Sequence, residues 1–138
     1  MLKVAIVGSR EFSNTDYVLN KFLQVIEQLS QIREDVRLLG DKMLIVSGGA
    51  QGVDTCAQEI AKLLGLPILI YYPDWQTYGK EAALRRNTYI VDIADVVIAF
   101  PSRNSKGTWD TINKAHAAGK PVFVFEVSTN HGKEASNV

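Results

Sequence analysis

The chain has 138 residues, a length typical of one domain that can bury a hydrophobic core without disulfides. Hydrophobic residues make up 46% and charged residues 22%, which excludes a disordered or fibrous chain. The 15 Lys and Arg balance the 15 Asp and Glu, so broad electrostatic capture of DNA or of an acidic membrane is not expected.

Cysteine content and the N-terminal sequence indicate the compartment. One cysteine, Cys56, excludes an internal disulfide and a zinc site built from cysteines. The N-terminal apolar run is too short for a signal peptide, and no stretch approaches the ~20 apolar residues that span a bilayer. We therefore expect a soluble cytoplasmic protein with no membrane partner.

Five apolar runs alternate with amphipathic stretches. The first strand is predicted over Leu2–Val7, and apolar residues at helical spacing predict a helix from Thr15 to about Arg33, with Asn14 or Thr15 as its N-cap. The later predicted strands are Met43–Val46, Pro67–Tyr72, Asp95–Phe100 and Pro121–Phe125, and the later helices are Val53–Leu64, Lys80–Ala94 and Thr108–Ala118. Residues 1–127 are predicted to form one domain, and residues 128–138 a polar C-terminal tail.

This alternation predicts an α/β fold: a Rossmann-like, doubly wound, three-layer sandwich with a mostly parallel sheet of about five strands. Such sheets bind ligands outside the carboxyl ends of their strands. Function is therefore expected in the loops that follow Val7, Val46, Tyr72 and Phe100.

The loop after the second strand, SGGAQGVD, has three glycines directly before a predicted helix. Backbone N–H groups and the helix dipole favour an anion there. The predicted phosphate ligands are Ser47, Gly48, Gly49, Gly52 and Asp54; a plain turn in which Asp54 caps the helix is the alternative. The loop is neither a dinucleotide fingerprint nor a Walker sequence, and no acidic residue ends the second strand to hold an adenosine ribose, which argues against an ordinary dehydrogenase. No cofactor is expected.

Two further loops offer anion-binding groups. The candidates are Gly8, Ser9 and Arg10 after the first strand, and Lys106, Gly107 and Thr108 after the fourth. Arg10 can pair with a phosphate in a bidentate manner or form a surface salt bridge. Thr108 either belongs to a second anion site or is only the N-cap of the following helix.

Aromatic residues stand beside cations in the loop after the third strand. Trp75 and Tyr78, near Lys80, can stack on a base, or they can fill the core. Helical spacing predicts that Asn87 turns inward and hydrogen-bonds a loop backbone. Arg86 lies one position round from that face and either points to the ligand or belongs to a solvated surface.

Two residue types are predicted to carry no chemistry. Cys56 lies on or beside an apolar helix face and is expected in the core. His116 and His131 have no ligating partner at a useful spacing, so no metal site is expected.

Five segments together resemble the SLOG superfamily, which joins the DprA/Smf and LOG proteins, and specifically its small YspA-like, YpsA-related branch. They are VGSREF (Val7–Phe12), SGGAQGVD (Ser47–Asp54), YGKEAALRRN (Tyr78–Asn87), ADVVIAF (Ala94–Phe100) and KGTWDTINKA (Lys106–Ala115). The segments occur in the family's order and cover about residues 2 to 125. The resemblance implies a Rossmann-like fold that binds a nucleotide or a nucleotide-derived ligand, and it implies a homodimer.

The LOG branch also implies an activity, the phosphoribohydrolase reaction that splits a base from ribose phosphate. Its enzymes carry PGGxGTxxE and an arginine in RKxxM; Arg86 stands where that arginine would be, but Thr111 occupies the glutamate position. Asp110 is adjacent, yet on a helix it points about 100° away. The candidate catalytic residues are Arg86, Asp54 and Asp110, with Asp74 as a further carboxylate.

The DprA branch implies single-stranded nucleic-acid binding, which requires a positive groove with stacking aromatics. The zero net charge argues against it, and a convergence of basic residues would suit one small polyphosphate equally well. The basic residues concerned are Arg10, Lys80, Arg85, Arg86, Arg103 and Lys106. The leading hypothesis is therefore a nucleotide-binding module, with a nucleotide-cleaving enzyme and a nucleic-acid-binding protein as alternatives.

Overall fold

The computed structural model describes residues 1–33 and 43–128. Its strands are β1 (Leu2–Gly8), β2 (Met43–Ser47), β3 (Ile68–Ile70), β4 (Val96–Phe100) and β5 (Val122–Val124). Its α-helices are α1 (Thr15–Ile32), α2 (Val53–Leu64), α3 (Trp75–Tyr78), α4 (Ala82–Ile93) and α5 (Lys106–Ala117). Almost all of the predicted tail, together with His131, lies outside the described residues.

The predicted strands and helices are all present, but several bounds differ: β3 is half as long as the predicted Pro67–Tyr72, and α5 begins at Lys106 rather than at Thr108. The helix predicted over Lys80–Ala94 begins only at Ala82, after a turn of 3-10 helix over Gly79–Glu81. The short α3 before it was not predicted, because only four residues between Asp74 and Gly79 are helical and none of them is buried. Asn14 is the N-cap of α1, since its side-chain oxygen accepts from the N–H of Tyr17 at 3.0 Å.

The five strands form one sheet in the order β3-β2-β1-β4-β5, and every pairing is parallel. Side chains along β1 alternate between its two faces. Val4 and Ile6 pack in the core under α1 and α2, whereas Ala5 and Val7 pack with residues of α4 and α5. The doubly wound, three-layer α/β fold is therefore confirmed.

Cys56 is 1% exposed and packs among the core side chains of α2, as predicted. Within residues 1–33 and 43–128, no helix combines the length and the apolar character needed to cross a membrane.

The strand order places the winding reversal between β1 and β4. From β1 the chain winds outward through β2 to β3, and then crosses back to add β4 on the other side of β1. Gly8 and Phe100 are paired at the carboxyl ends of these two strands. This reversal point is where open α/β sheets form their ligand crevice.

Candidate functional site

A cavity of about 1000 Å³ opens at the carboxyl edge of the sheet. Its walls come from the loops after β1, β2, β3 and β4, from one side of α4 and from the first two turns of α5. The sequence-predicted site residues that line it are Gly8, Ser9, Arg10, Gly48, Gly49, Asp54, Trp75, Arg86, Asn87, Lys106, Gly107 and Thr108. The structure thus brings together residues that are up to a hundred positions apart in the sequence.

The β1 loop is fastened to the neighbouring strand and helix. The N–H of Ser9 donates to the carbonyl oxygen of Phe100 at 2.9 Å, and the carbonyl of Ser9 accepts from the N–H of Val53 at 3.0 Å. The hydroxyl oxygen of Ser9 accepts from the N–H of Glu11 at 3.1 Å. Ser9 is buried and makes three hydrogen bonds, whereas Arg10 is exposed and lines the cavity.

In the β2–α2 turn, residues 47–52, two backbone N–H groups donate to side chains that are near in the sequence. The N–H of Gly49 donates to Oγ of Ser47 at 3.3 Å, and the N–H of Ala50 donates to Oδ2 of Asp54 at 3.0 Å. The N-cap of α2 is Gly52, not Asp54, so the alternative in which Asp54 caps the helix is wrong. The Asp54 carboxylate instead holds the turn that precedes the helix.

Gly52 is where this turn meets the β1 loop. Its φ of 69° lies in the left-handed region, and a Cβ built there would stand 2.3 Å from the carbonyl oxygen of Ser9. Only glycine permits this approach of one backbone to another. Gly52 and Ser47 do not line the cavity, so their visible role is to build the turn.

Arg86 joins the turns around the cavity. Its Nε donates to Oδ1 of Asn87 at 3.0 Å, and its Nη1 donates to the carbonyl oxygen of Gly48 and lies 3.5 Å from the carbonyl oxygen of Tyr71. Nη2 bonds to no described residue. Within residues 1–33 and 43–128 every buried side-chain nitrogen or oxygen has a hydrogen-bond partner, so an atom without a partner, such as Nη2, is not buried. Nη2 of Arg86 is therefore open to the cavity.

Asn87 extends this network to α5, as the sequence predicts. Its Nδ2 donates to the carbonyl oxygen of Gly107 and to Oδ2 of Asp110, each at 3.1 Å. Asp110 also pairs with Lys114 at 2.8 Å and does not line the cavity. Asp110 therefore holds Asn87 in place and lies away from any ligand in the cavity.

Asp54 is the buried carboxyl group of the site, with 5% of the residue exposed. Burial raises its pKa from 3.8 to about 6, against the opposing effects of the Ala50 hydrogen bond, the charges of Arg86 and Arg10, and a hydrogen bond from the backbone of Gly48. Burial also lowers the pKa of Arg86, and the nearby Asp54 counters it. The site holds an acid that titrates near neutral pH beside a fixed cation.

The β4–α5 turn, residues 101–108, leaves two of its N–H groups free at the start of α5. Ser105 occupies the N-cap position of α5, but its side chain makes no hydrogen bond to the helix. Its Oγ instead accepts from the N–H of Ser102 at 2.9 Å and lies 2.6 Å from the Ser102 hydroxyl oxygen. In the described part of the chain, the N–H groups of Gly107 and Thr108 have no partner. The helix begins before Thr108, so Thr108 is not its N-cap.

The aromatic residues of the third loop stay out of the core. Trp75 is 58% exposed and Tyr72 67% exposed, and both line the cavity. Tyr78 does not line it; its ring lies over the guanidinium of Arg85 at 4.3 Å. The alternative that Trp75 and Tyr78 fill the core is therefore wrong.

The remaining predicted residues lie outside the cavity. Lys80 is exposed on the 3-10 turn, and Asp74 is the N-cap of α3, where its Oδ1 accepts from the N–H of Thr77 at 3.1 Å. Within the two described ranges, no group of three or more His, Cys, Asp or Glu residues could hold a metal ion.

Several lining residues escaped sequence reasoning. Those with polar or aromatic side chains are Glu11, Gln51, Tyr72, Ser102, Asn104, Ser105 and Thr111. All of them except Thr111 lie in a loop that follows a strand, so loop position was the signal that could have found them. Thr111 sits one turn into α5, where its hydroxyl donates to the carbonyl oxygen of Gly107 at 3.2 Å.

Comparisons with known proteins agree with this architecture. The family model described as the YspA, cpYpsA-related SLOG family matches residues 2–78. The Gene 61 protein of Mycobacterium phage D29 is 36% identical over 89 residues, which span 60% of this chain and 71% of the phage protein.

Two solved structures share the fold. DNA processing protein A (DprA) of Streptococcus pneumoniae matches with a TM-score of 0.67 and 23% identity, over 96% of this chain and 53% of that one. DprA of Helicobacter pylori, whose structure concerns its single-stranded DNA binding mode, matches with a TM-score of 0.59 and 26% identity, over 99% of this chain and 70% of that one. The chain spans about half the length of the pneumococcal structure.

Proposed function

The chain belongs to the YspA, cpYpsA-related SLOG family, and on that premise we propose that it is a binding module for a nucleotide or a nucleotide-derived phosphate ligand. The observation that carries the proposal is the set of unpaired N–H groups at the start of α5, which face a cavity that also holds the open Nη2 of Arg86. An uncapped helix N-terminus beside a cation favours a phosphate.

In this proposal, different lining residues bind different parts of the ligand. The N–H groups of Gly107 and Thr108 bind the phosphate, and Lys106 and Arg86 neutralise it. Tyr72 and Trp75, the exposed aromatic residues of the wall, stack on the base or ribose. The homodimer that the resemblance implies is part of the proposal.

A charge placed at Gly107 tests this assignment. A Cβ at Gly107 would meet no atom within 4 Å, so Gly107→Glu and the isosteric Gly107→Gln should both fold. Adenosine 5′-monophosphate and related nucleotides should raise the melting temperature of the wild type and of Gly107→Gln. For Gly107→Glu, whose carboxylate repels the phosphate, we expect at least about a tenfold weaker apparent affinity.

The control is the melting temperature without ligand. An acidic residue in the first turn stabilises a helix, so Gly107→Glu should be no less stable than the wild type. Equal nucleotide stabilisation of the Glu and Gln variants would remove the α5 site. No stabilisation of the wild type by any nucleotide would remove the proposed function.

A second candidate function is cleavage of the bound nucleotide, and the buried carboxyl of Asp54 favours it. A carboxyl that titrates near neutral pH beside a fixed arginine is a candidate general base. In that reaction water adds its oxygen to the sugar C1′, the base leaves with the bonding electron pair, and Asp54 passes the water proton to the base. Product analysis should then show free base with the wild type and none with Asp54→Asn.

The likeness to the Helicobacter DprA makes single-stranded nucleic acid a further ligand to test. Of the six basic residues expected to converge, Arg10, Arg86 and Lys106 line the cavity, whereas Lys80, Arg85 and Arg103 do not. Three cations suit one or two phosphates better than a strand. A titration of single-stranded DNA at two salt concentrations decides, because strand binding must weaken steeply with salt.

A further inference from the structure

The cations of the cavity wall are distributed along the edge of the sheet. Arg10 follows β1, and Lys106 begins α5, which follows β4. Arg86 comes from α4, but its Nη1 donates to the carbonyl oxygen of Gly48, which follows β2. The three cations are therefore attached to the ends of three neighbouring strands in the order β2-β1-β4. With a strand spacing of about 4.8 Å, those strand ends span about 10 Å.

Arg10 is an exposed cation near Arg86. Among the residues that the structure describes, the guanidinium of Arg10 has no hydrogen bond or ion pair. Burial lowers the pKa of Arg86, the charge of Asp54 opposes this, and the charge of Arg10 lowers it further. Arg10 and Arg86 therefore repel each other at the cavity wall, and an anion between them would relieve the repulsion.

The carboxyl groups of the wall leave room for such an anion. In the described part of the chain they are Asp54 and Glu11, and Glu11 is exposed to solvent. Asp54 is buried, and its Oδ2 accepts from the N–H of Ala50. Burial raises the pKa of Asp54 to about 6, so an approaching phosphate can convert it to the neutral acid near neutral pH. Neither carboxyl therefore excludes a phosphate from the position beside the two arginines.

The aromatic part of the wall lies at one end of this row of cations. Tyr72 follows β3, and its ring packs over Gly49, where a built Cβ would stand 2.5 Å from Cε1 of Tyr72. The ring is therefore at the level of β2, two strand spacings, or about 10 Å, from the end of β4. A nucleoside monophosphate has only its ribose between base and phosphate. A nucleoside diphosphate has one more phosphate there, at the level of β1 and Arg10.

We propose that the cavity takes a nucleoside 5′-diphosphate and binds its two phosphates at separate positions. The terminal phosphate lies on the free N–H groups at the start of α5, and the phosphate next to the ribose lies between Arg10 and Arg86. The base then stacks on Tyr72. This inference rests on the proposed function, which does not fix the number of phosphates and gives Arg10 no part.

Calorimetric titrations with adenosine 5′-diphosphate and adenosine 5′-monophosphate in metal-free buffer test the proposal. The wild type should bind the diphosphate at least about tenfold more tightly, because the single phosphate of the monophosphate occupies only the α5 position. Arg10→Gln should weaken diphosphate binding at least about tenfold and change monophosphate binding by no more than about threefold. Arg103→Gln is the matched control and should change neither, because Arg103 is exposed but does not line the cavity.

Inorganic pyrophosphate and phosphate repeat the comparison without a base. Pyrophosphate should raise the melting temperature of the wild type and of Arg103→Gln more than phosphate does, and Arg10→Gln should lose most of that difference. Equal stabilisation by the two anions would overturn the second phosphate position.

The nucleotide titrations separate this inference from the function on which it rests. Equal affinities of the wild type for the two nucleotides would overturn the inference and leave the proposed function standing. Equal losses of both nucleotides in Arg10→Gln would also overturn it, because Arg10 would then act on the phosphate that they share. Absence of binding of either nucleotide to the wild type would overturn both.

Discussion

The turns that begin α2 and α5 both face the cavity, yet they differ in charge: the first turn of α2 holds the carboxyl of Asp54, and the first turn of α5 holds no acidic residue. In the β2–α2 turn and at the start of α2, the N–H groups of Gly49, Ala50 and Val53 bond to Ser47, Asp54 and Ser9. In the described part of the chain, the N–H groups of Asp54 and Thr55 have no partner. In the β4–α5 turn Ser105 bonds to Ser102 and leaves the first turn of α5 uncapped. The β2–α2 turn is therefore closed to an anion by its bonded N–H groups and by the carboxyl of Asp54, and the β4–α5 turn, which no acidic residue follows in the first turn of α5, is open to an anion.

Glycine has different roles in the two turns. Gly52 lets the backbone of one loop approach that of another, which is a packing role. Gly107 has open space around its Cβ position and lies at a helix start with free N–H groups. Glycine content alone thus does not distinguish a ligand-binding turn from a tightly packed one.

The largest effect that the comparison predicts is that of Gly52→Ala. The new Cβ would stand 2.3 Å from the carbonyl oxygen of Ser9, at a φ of 69°, so we expect a loss of about 3 kcal/mol or more in the free energy of unfolding. Urea denaturation measures it. Gly65→Ala is the matched control, because Gly65 has a φ of 67° but open space, and its cost should be about 1 kcal/mol. Equal costs would show that the contact with the β1 loop is unimportant.

The sequence predicted the convergence of these turns because parallel strands end at one edge of a sheet. Val7, Val46 and Phe100 each end an apolar run, and this is enough to place Gly8, Gly48 and Lys106 around one crevice. The inward turn of Asn87 was predicted for a similar reason, since helical spacing fixes which side of α4 is buried.

The sequence could not predict which N–H groups stay free. The bond from Val53 to the carbonyl of Ser9 joins residues far apart in the chain, and no local pattern encodes it. The side chain of Ser105 had two possible uses, as a helix cap or as a partner of Ser102, and only the folded turn decides between them. Which N–H groups of a turn are bonded is therefore a tertiary property.

Asp54→Asn, in the first turn of α2, should have the second largest effect on the free energy of unfolding. The folded-state pKa of Asp54, about 6, lies above its ordinary value of 3.8, so the protonated carboxyl is favoured by folding. Its contribution is fully present below pH 4 and is lost as the pH rises through about 6. Each pKa unit corresponds to about 1.4 kcal/mol, so at pH 7.5 Asn, which keeps an acceptor for Ala50, should stabilise the protein by up to about 3 kcal/mol.

Urea midpoints of the wild type and Asp54→Asn at pH 4 and at pH 7.5 check this difference. The gap between the two proteins should be small at pH 4 and large at pH 7.5. A gap that does not change with pH would mean that the Asp54 carboxyl is not strained by burial in the closed turn.

The smallest expected effect is that of Gly107→Ala in the open turn. Alanine in place of a helical glycine should stabilise the protein by about 0.5–1 kcal/mol, because the Cβ meets no atom and the unfolded chain loses freedom. The N–H of residue 107 is retained, so the nucleotide affinity should stay within about threefold of the wild type. Urea denaturation and thermal stabilisation by adenosine 5′-monophosphate measure the two quantities. A loss of affinity as large as that of Gly107→Glu would assign the effect to bulk, because Ala adds no charge, and the expected repulsion between the carboxylate of the Gly107→Glu variant and the phosphate would then be unsupported.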